Sequence, residues 1–104
     1  MASRDNRVRL DLNNPRFQEA FLALESTELK QAAATLRRLS SMNWNAIYIH
    51  GGLNWEAVDH VTAPNGSKAY SLCLSQKMRA LAYRDGDVLR FLSLHPDHDS
   101  AYKR

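Results

Sequence analysis

Two short apolar runs flank an Asp-Gly pair near the C-terminus, and no other feature constrains the fold of this chain as tightly. The runs are Met78 to Tyr83 and Val88 to Leu94, and Arg84-Asp85-Gly86-Asp87 lies between them. Glycine supplies the positive φ that a tight hairpin turn needs, so two antiparallel strands are expected here. Upstream, Ala69 to Leu74 reads as another strand, and the polar turn Ser75-Gln76-Lys77 joins it to the hairpin. The stretch from Tyr70 onward is therefore a meander. Its last strand runs into His95-Pro96-Asp97-His98-Asp99-Ser100-Ala101-Tyr102, a segment dense in ionisable side chains. Function is expected at that end.

The N-terminal half reads differently. Arg7 to Leu12 alternates charged and apolar residues, the period of a half-buried strand. Asn13-Asn14-Pro15 combines a good N-cap with a proline at the first helical position, and Phe17, Ala20, Phe21 and Leu24 then form an apolar stripe. Ser26 or Thr27 is placed to cap a second, longer helix whose stripe is Leu29, Ala32, Ala33, Leu36 and Leu39. Trp44, Ile47 and Tyr48 suit a short third helix ending at Gly51-Gly52, and an extended segment suits them nearly as well. Leu53 to Thr62 reads as a strand with an irregularity, followed by the turn Pro64-Asn65-Gly66. The expected fold class is α+β: a first strand, an αα-hairpin with a short third helix, then a meander forming one sheet with the helices on one face.

At 104 residues a single domain is expected, and a hydrophobic content of 44% with 24% charged residues suits a folded globule. No run is apolar enough to span a bilayer and no apolar signal region follows Met1 to Asn6, so no membrane partner and a cytoplasmic location are expected. The single cysteine, Cys73, excludes an internal disulfide framework and suits a reducing compartment. A net charge of +3 permits a polyanionic or acidic partner without requiring one.

On the first meander strand Tyr70, Leu72 and Leu74 share one face, and Ser71 and Cys73 the other. If the apolar set meets the helices, Ser71 and Cys73 lie on the open face. Arg79 interrupts an apolar run, and a buried or half-buried arginine requires a specific partner. Arg84 and Arg90 suit exposed strand ends, and guanidiniums also match phosphate geometry. Lys30, Arg37, Arg38 and Lys77 are either a solvated surface or contacts to RNA phosphates. In the tail, His95 and His98 have pKa values suited to proton transfer, and Tyr102 suits proton donation or base stacking. The His-x-x-His spacing also suits a metal pair, with His50 and His60 as further ligands, but a clear third and fourth ligand set is lacking, so no metal or cofactor is assigned.

The run YSLCLSQKMRALAYRDGDVLRFLSLHPDHDSAY resembles the C-terminal half of RelE/ParE superfamily toxins, in the HigB/RelE-like branch encoded beside helix-turn-helix antitoxins. The likeness rests on the arginine-to-tyrosine spacing Arg79 to Tyr83 and on the LSLHPDHDSAY ending, and the order of elements extends it to the whole chain. It implies a ribosome-dependent endoribonuclease that cuts mRNA through the RNA's own 2′-hydroxyl without metal. A small antitoxin, expected to be of the helix-turn-helix type, would neutralise it, and operator DNA would be met only through that antitoxin. Arg79 matches the arginine that stabilises the scissile phosphate. His95, His98 and Tyr102 fall in the region that holds acid, base and stacking groups in relatives.

Cys73 departs from that pattern, since a cation is usual near this point. Either the toxin is attenuated or inactivated, or Cys73 is a small side chain accepted at a non-essential site. Two other functions fit the same fold: inhibition of DNA gyrase, as in the ParE branch, and a non-catalytic module that only binds antitoxin.

Overall fold

The structure, a computed structural model, describes residues 7–96. Three helices precede most of the sheet: α1 (Pro15–Leu22), α2 (Ser26–Leu39) and α3 (Trp44–Ile49). The strands are β1 (Arg9–Asp11), β2 (Glu56–Thr62), β3 (Lys68–Cys73), β4 (Arg79–Asp85) and β5 (Val88–His95). They form one sheet in the order β1-β5-β4-β3-β2, antiparallel throughout except that β1 runs parallel to β5. The fold is α+β, and the first and last strands lie side by side.

Local chemistry explains the starts of the helices. The Asn14 side chain accepts a hydrogen bond from the Arg16 N–H, and Pro15 occupies the first turn, where a missing N–H costs nothing. The Asn43 side chain caps α3 by accepting from the Ala46 N–H at 2.8 Å. At α2 the expectation is corrected. Neither Ser26 nor Thr27 is the cap, because the Glu25 carbonyl already accepts the Leu29 N–H at 2.8 Å, which draws both hydroxyl residues into the first turn. The turn expected over Arg84-Asp85-Gly86-Asp87 tightens to the two-residue loop Gly86-Asp87, since β4 extends through Asp85, which pairs with Val88. Gly86 still supplies the positive φ, +63°.

The helices bury their stripes against one face of the sheet. Phe17 of α1 packs on Phe91 of β5 with ring centroids 5.0 Å apart, and both side chains are fully buried. Ala32, Leu36 and Leu39 of α2 join Leu72, Leu74, Ala80, Ala82 and Leu89 in the same core. Ala33, placed in the stripe by spacing, is exposed, and Thr35 is buried instead. Its hydroxyl donates to the Leu74 carbonyl at 2.8 Å, so the buried polar group is satisfied and α2 is tied to the end of β3. No helix among the described residues is long and apolar enough to cross a membrane.

Two irregularities shape the sheet. β2 shifts register between Val58 and Thr62, as its sequence suggests. In β5, Leu81 faces Ser93 while Ala82 faces Phe91, so Leu92 is an extra residue, a β-bulge. Leu89 and Phe91 are core residues, and simple alternation would carry Ser93 and His95 into the core with them. The bulge reverses the alternation, so that Leu94 enters the core and Ser93 and His95 face the other way.

Because Phe17 fills the junction of α1 and β5, Phe17→Ala is expected to lower stability by about 3–5 kcal/mol. Leu22→Ala on the same helix, at a side chain 75% exposed, is expected to stay within about 0.5 kcal/mol. Urea unfolding of the two variants checks both values.

Candidate active site

The open face of the sheet carries a transverse row of candidate residues at the β3–β4 turn end. Cys73 pairs with Arg79, and Arg79 pairs with His95, so the three side chains lie abreast on β3, β4 and β5. Neighbouring strands are about 4.8 Å apart, which puts Cys73 and His95 on the order of 10 Å from each other with Arg79 between them. Ser71, Leu81 and Ser93 form the next row, and Glu56 of β2 pairs with Ser71.

Arg79 is the centre of this arrangement. Its side chain is only 6% exposed, and a guanidinium cannot shed its charge to escape burial. Its Nη2 donates to the Ser71 hydroxyl at 3.1 Å and stands 3.6 Å from a Glu56 carboxylate oxygen, an ion-pair rather than a hydrogen-bond distance. The expectation that this arginine needs specific partners is met, among the described residues, by Ser71 on the adjacent β3 and by Glu56 on β2, one strand further out. Glu56 itself is well exposed, so its carboxylate reaches both Arg79 and solvent.

His95 is half-buried at the end of β5, with its Nε2 3.1 Å from the Ser93 hydroxyl. Burial pushes its pKa below the ordinary histidine value, because the charged ring loses solvation. At neutral pH the imidazole is neutral and competent as a proton acceptor, beside a cation that can neutralise a phosphate oxygen.

The remaining predicted cations are distributed by the fold. Lys77 lies in the β3–β4 turn, at the same end of the sheet as the row. Arg38 lines two adjoining grooves of about 520 and 450 Å³ between α2 and that turn. Lys77 borders the first groove and Cys73 the second. Lys30 and Arg37 are exposed on α2, in the helical layer behind the sheet. Arg84 and Arg90 are at the opposite end of β4 and β5 from the row. Arg90 donates to Asp85 at 2.8 Å and to Asp11 at 2.6 Å, and these carboxylates raise its pKa. Asp11 is held below the usual carboxylate range by the Asn13 N–H first and by Arg90 second. Arg90 thus bridges β1, β4 and β5. His98 and Tyr102 lie outside the described residues.

Glu56 and Ser93 join the site without having been singled out in the sequence. Ser93 is two residues from His95, and alternation alone would have flagged it. Glu56 depends on the β2–β3 register, which nothing local encodes. No family model matches the chain, and no curated protein and no solved structure is significantly similar to it.

The burial of His95 has a consequence for stability. Its pKa is lower folded than unfolded, so the unfolded chain takes up the proton first. The contribution is complete above the ordinary histidine value of 6.5 and is lost as pH falls from there through the folded value. Urea midpoints measured at pH 7.5 and pH 5.5 are expected to fall with acid in the parent, and His95→Gln is expected to shrink that drop. An unchanged drop would mean that His95 is not its source.

Proposed function

We propose that this protein is the toxin of a toxin–antitoxin pair of the RelE/ParE kind, acting in the cytoplasm as a ribosome-dependent endoribonuclease on mRNA. The observation that carries the reading is the adjacency of Arg79 and His95 on the open face. In this mechanism His95 accepts the proton of the 2′-hydroxyl, and the 2′-oxygen attacks the adjacent phosphorus. Arg79 stabilises the charge that builds on the non-bridging oxygens. The 5′-oxygen leaves with a proton from an acid, leaving a 2′,3′-cyclic phosphate and a 5′-hydroxyl. His98 and Tyr102 are the candidates for that acid. No metal or cofactor takes part. Arg38, which lines the groove that meets the row at Cys73, and Lys77, which borders the adjoining groove, are the cations best placed to hold flanking phosphates. The partners are the ribosome with its mRNA and a small antitoxin, which alone would contact operator DNA.

Cys73 puts a neutral side chain where the resemblance calls for a cation, directly beside Arg79. Either the toxin is attenuated by the loss of that cation, or Cys73 is a small side chain accepted at a non-essential site, and the activity of Cys73→Arg decides between them. A second reading is favoured by the depth of Arg79: a guanidinium 6% exposed, held by Ser71 and Glu56, also suits a structural ion in a non-catalytic antitoxin-binding module.

Reconstituted translation with mapping of mRNA 5′ ends separates the readings. Cuts restricted to ribosome-bound message are expected from the parent. Arg79→Ala is expected to lower their rate by about 100-fold or more, the scale of losing one transition-state donor, and Cys73→Arg to raise it. Undiminished cleavage by Arg79→Ala would remove Arg79 from the mechanism. If neither parent nor Cys73→Arg cuts, the binding-only or gyrase-directed function takes its place.

A further inference from the structure

A second feature lies on the helical side of the sheet, at the hairpin end. Trp44, Tyr48, Trp55 and Tyr70 gather there, and they include both tryptophans of the chain. Trp55 stacks on Tyr70 with centroids 4.6 Å apart and planes 14° from parallel, and Trp44 meets Trp55 edge-on at 5.9 Å. The Arg84 guanidinium sits 4.6 Å over the Trp44 ring. It donates to the Tyr48 hydroxyl at 2.8 Å and to the Gly86 carbonyl at 2.9 Å. This set ties α3 to the hairpin and to β3.

Packing accounts for the cluster but not for its shape. Tyr48 is 46% exposed, and Trp55 and Tyr70 are only half-buried. Their rings form walls of an open cleft of about 330 Å³, with Lys68 and Arg84 also lining it. Lys68 has one acidic neighbour, Asp59, at 3.9 Å, and both side chains are largely exposed, so that pair is weak. The cleft therefore offers flat π surface, two cations and the hydroxyl of Tyr48. That combination repels cationic ligands and suits a planar ring joined to an anion. Base stacking on aromatic side chains is worth about 1–3 kcal/mol per base, and it tolerates any base.

We infer that this cleft binds a nucleotide unit, with the base on the aromatic wall and the phosphate at Lys68 and Arg84. The site is separate from the open-face row: Arg79 and Arg84 are at opposite ends of β4, and Arg84 lies on the helical side. The inference stands whether or not RNA is cleaved at that row.

Both tryptophans belong to the cluster, so intrinsic fluorescence reports directly on occupancy. Titration of the full chain with adenosine monophosphate is expected to quench it saturably. Adenosine should bind more weakly, and ribose 5-phosphate should give no stacking quench. Lys68→Ala, at an exposed residue outside the core, is expected to weaken binding about tenfold, the scale of one charge-assisted contact. Arg79→Ala should titrate like the parent, which keeps this site distinguishable from the row. Tighter binding of a single-stranded RNA tetranucleotide than of the mononucleotide would identify a nucleic-acid strand as the source, and the reverse would identify a free nucleotide. The inference is overturned if neither ligand quenches saturably, or if Lys68→Ala binds like the parent.

Discussion

The strict two-residue period of a strand would turn His95 inward if β5 were regular. Phe91 and Leu89 must face the helices, since Phe91 receives Phe17 and Leu89 is wholly buried. The extra residue at Leu92 satisfies that demand and still delivers Leu94 to the core and His95 to the open face. Without the bulge the imidazole would compete for volume with the α1 layer, and Arg79 would have an apolar neighbour. The geometry of the candidate site therefore depends on one irregularity in a ladder that is otherwise antiparallel and regular.

A permanent charge buried at one end of the central strand β4 imposes a second demand. Arg79 opens β4, and its burial is tolerated because β3 places a hydroxyl and β2 a carboxylate beside it. Ser71 is fixed by the same alternation that sends Leu72 into the core, and Glu56 is fixed by the pairing of β2 with β3. Core packing on one face thus sets the electrostatics of the other. The same side chains suit two tasks, holding the strands in register and presenting a cation to a phosphate.

The other cations show how position in the fold separates residues of one type. Arg90, buttressed by Asp11 and Asp85, fastens the parallel edge strand to the hairpin. Arg84 turns to the helical side and lies over Trp44. Arg38 and Lys77 flank grooves that open near Cys73. A basic chain of this length offers many arginines, and the sheet sorts them into structural, aromatic-bound and groove-lining sets.

Much of this was legible in the residues. The Asn14-Pro15 start of α1, the glycine-dependent hairpin, the inward face of Tyr70, Leu72 and Leu74, and the need of Arg79 for partners all follow from local rules of capping, turn geometry and alternation. These rules act over a few residues, so a sequence displays them directly. The parallel pairing of β1 with β5, the carboxylate of Glu56 beside Arg79, the replacement of Ala33 by Thr35 and the outward turn of His95 do not. Each depends on which residue of a distant strand or helix lies opposite, and the sum of packing across the whole core sets that register. The sequence alone determined the elements and the residue types that could do chemistry. Only the tertiary structure decided which of them stand side by side, because a shift of one residue exchanges the two faces of a strand.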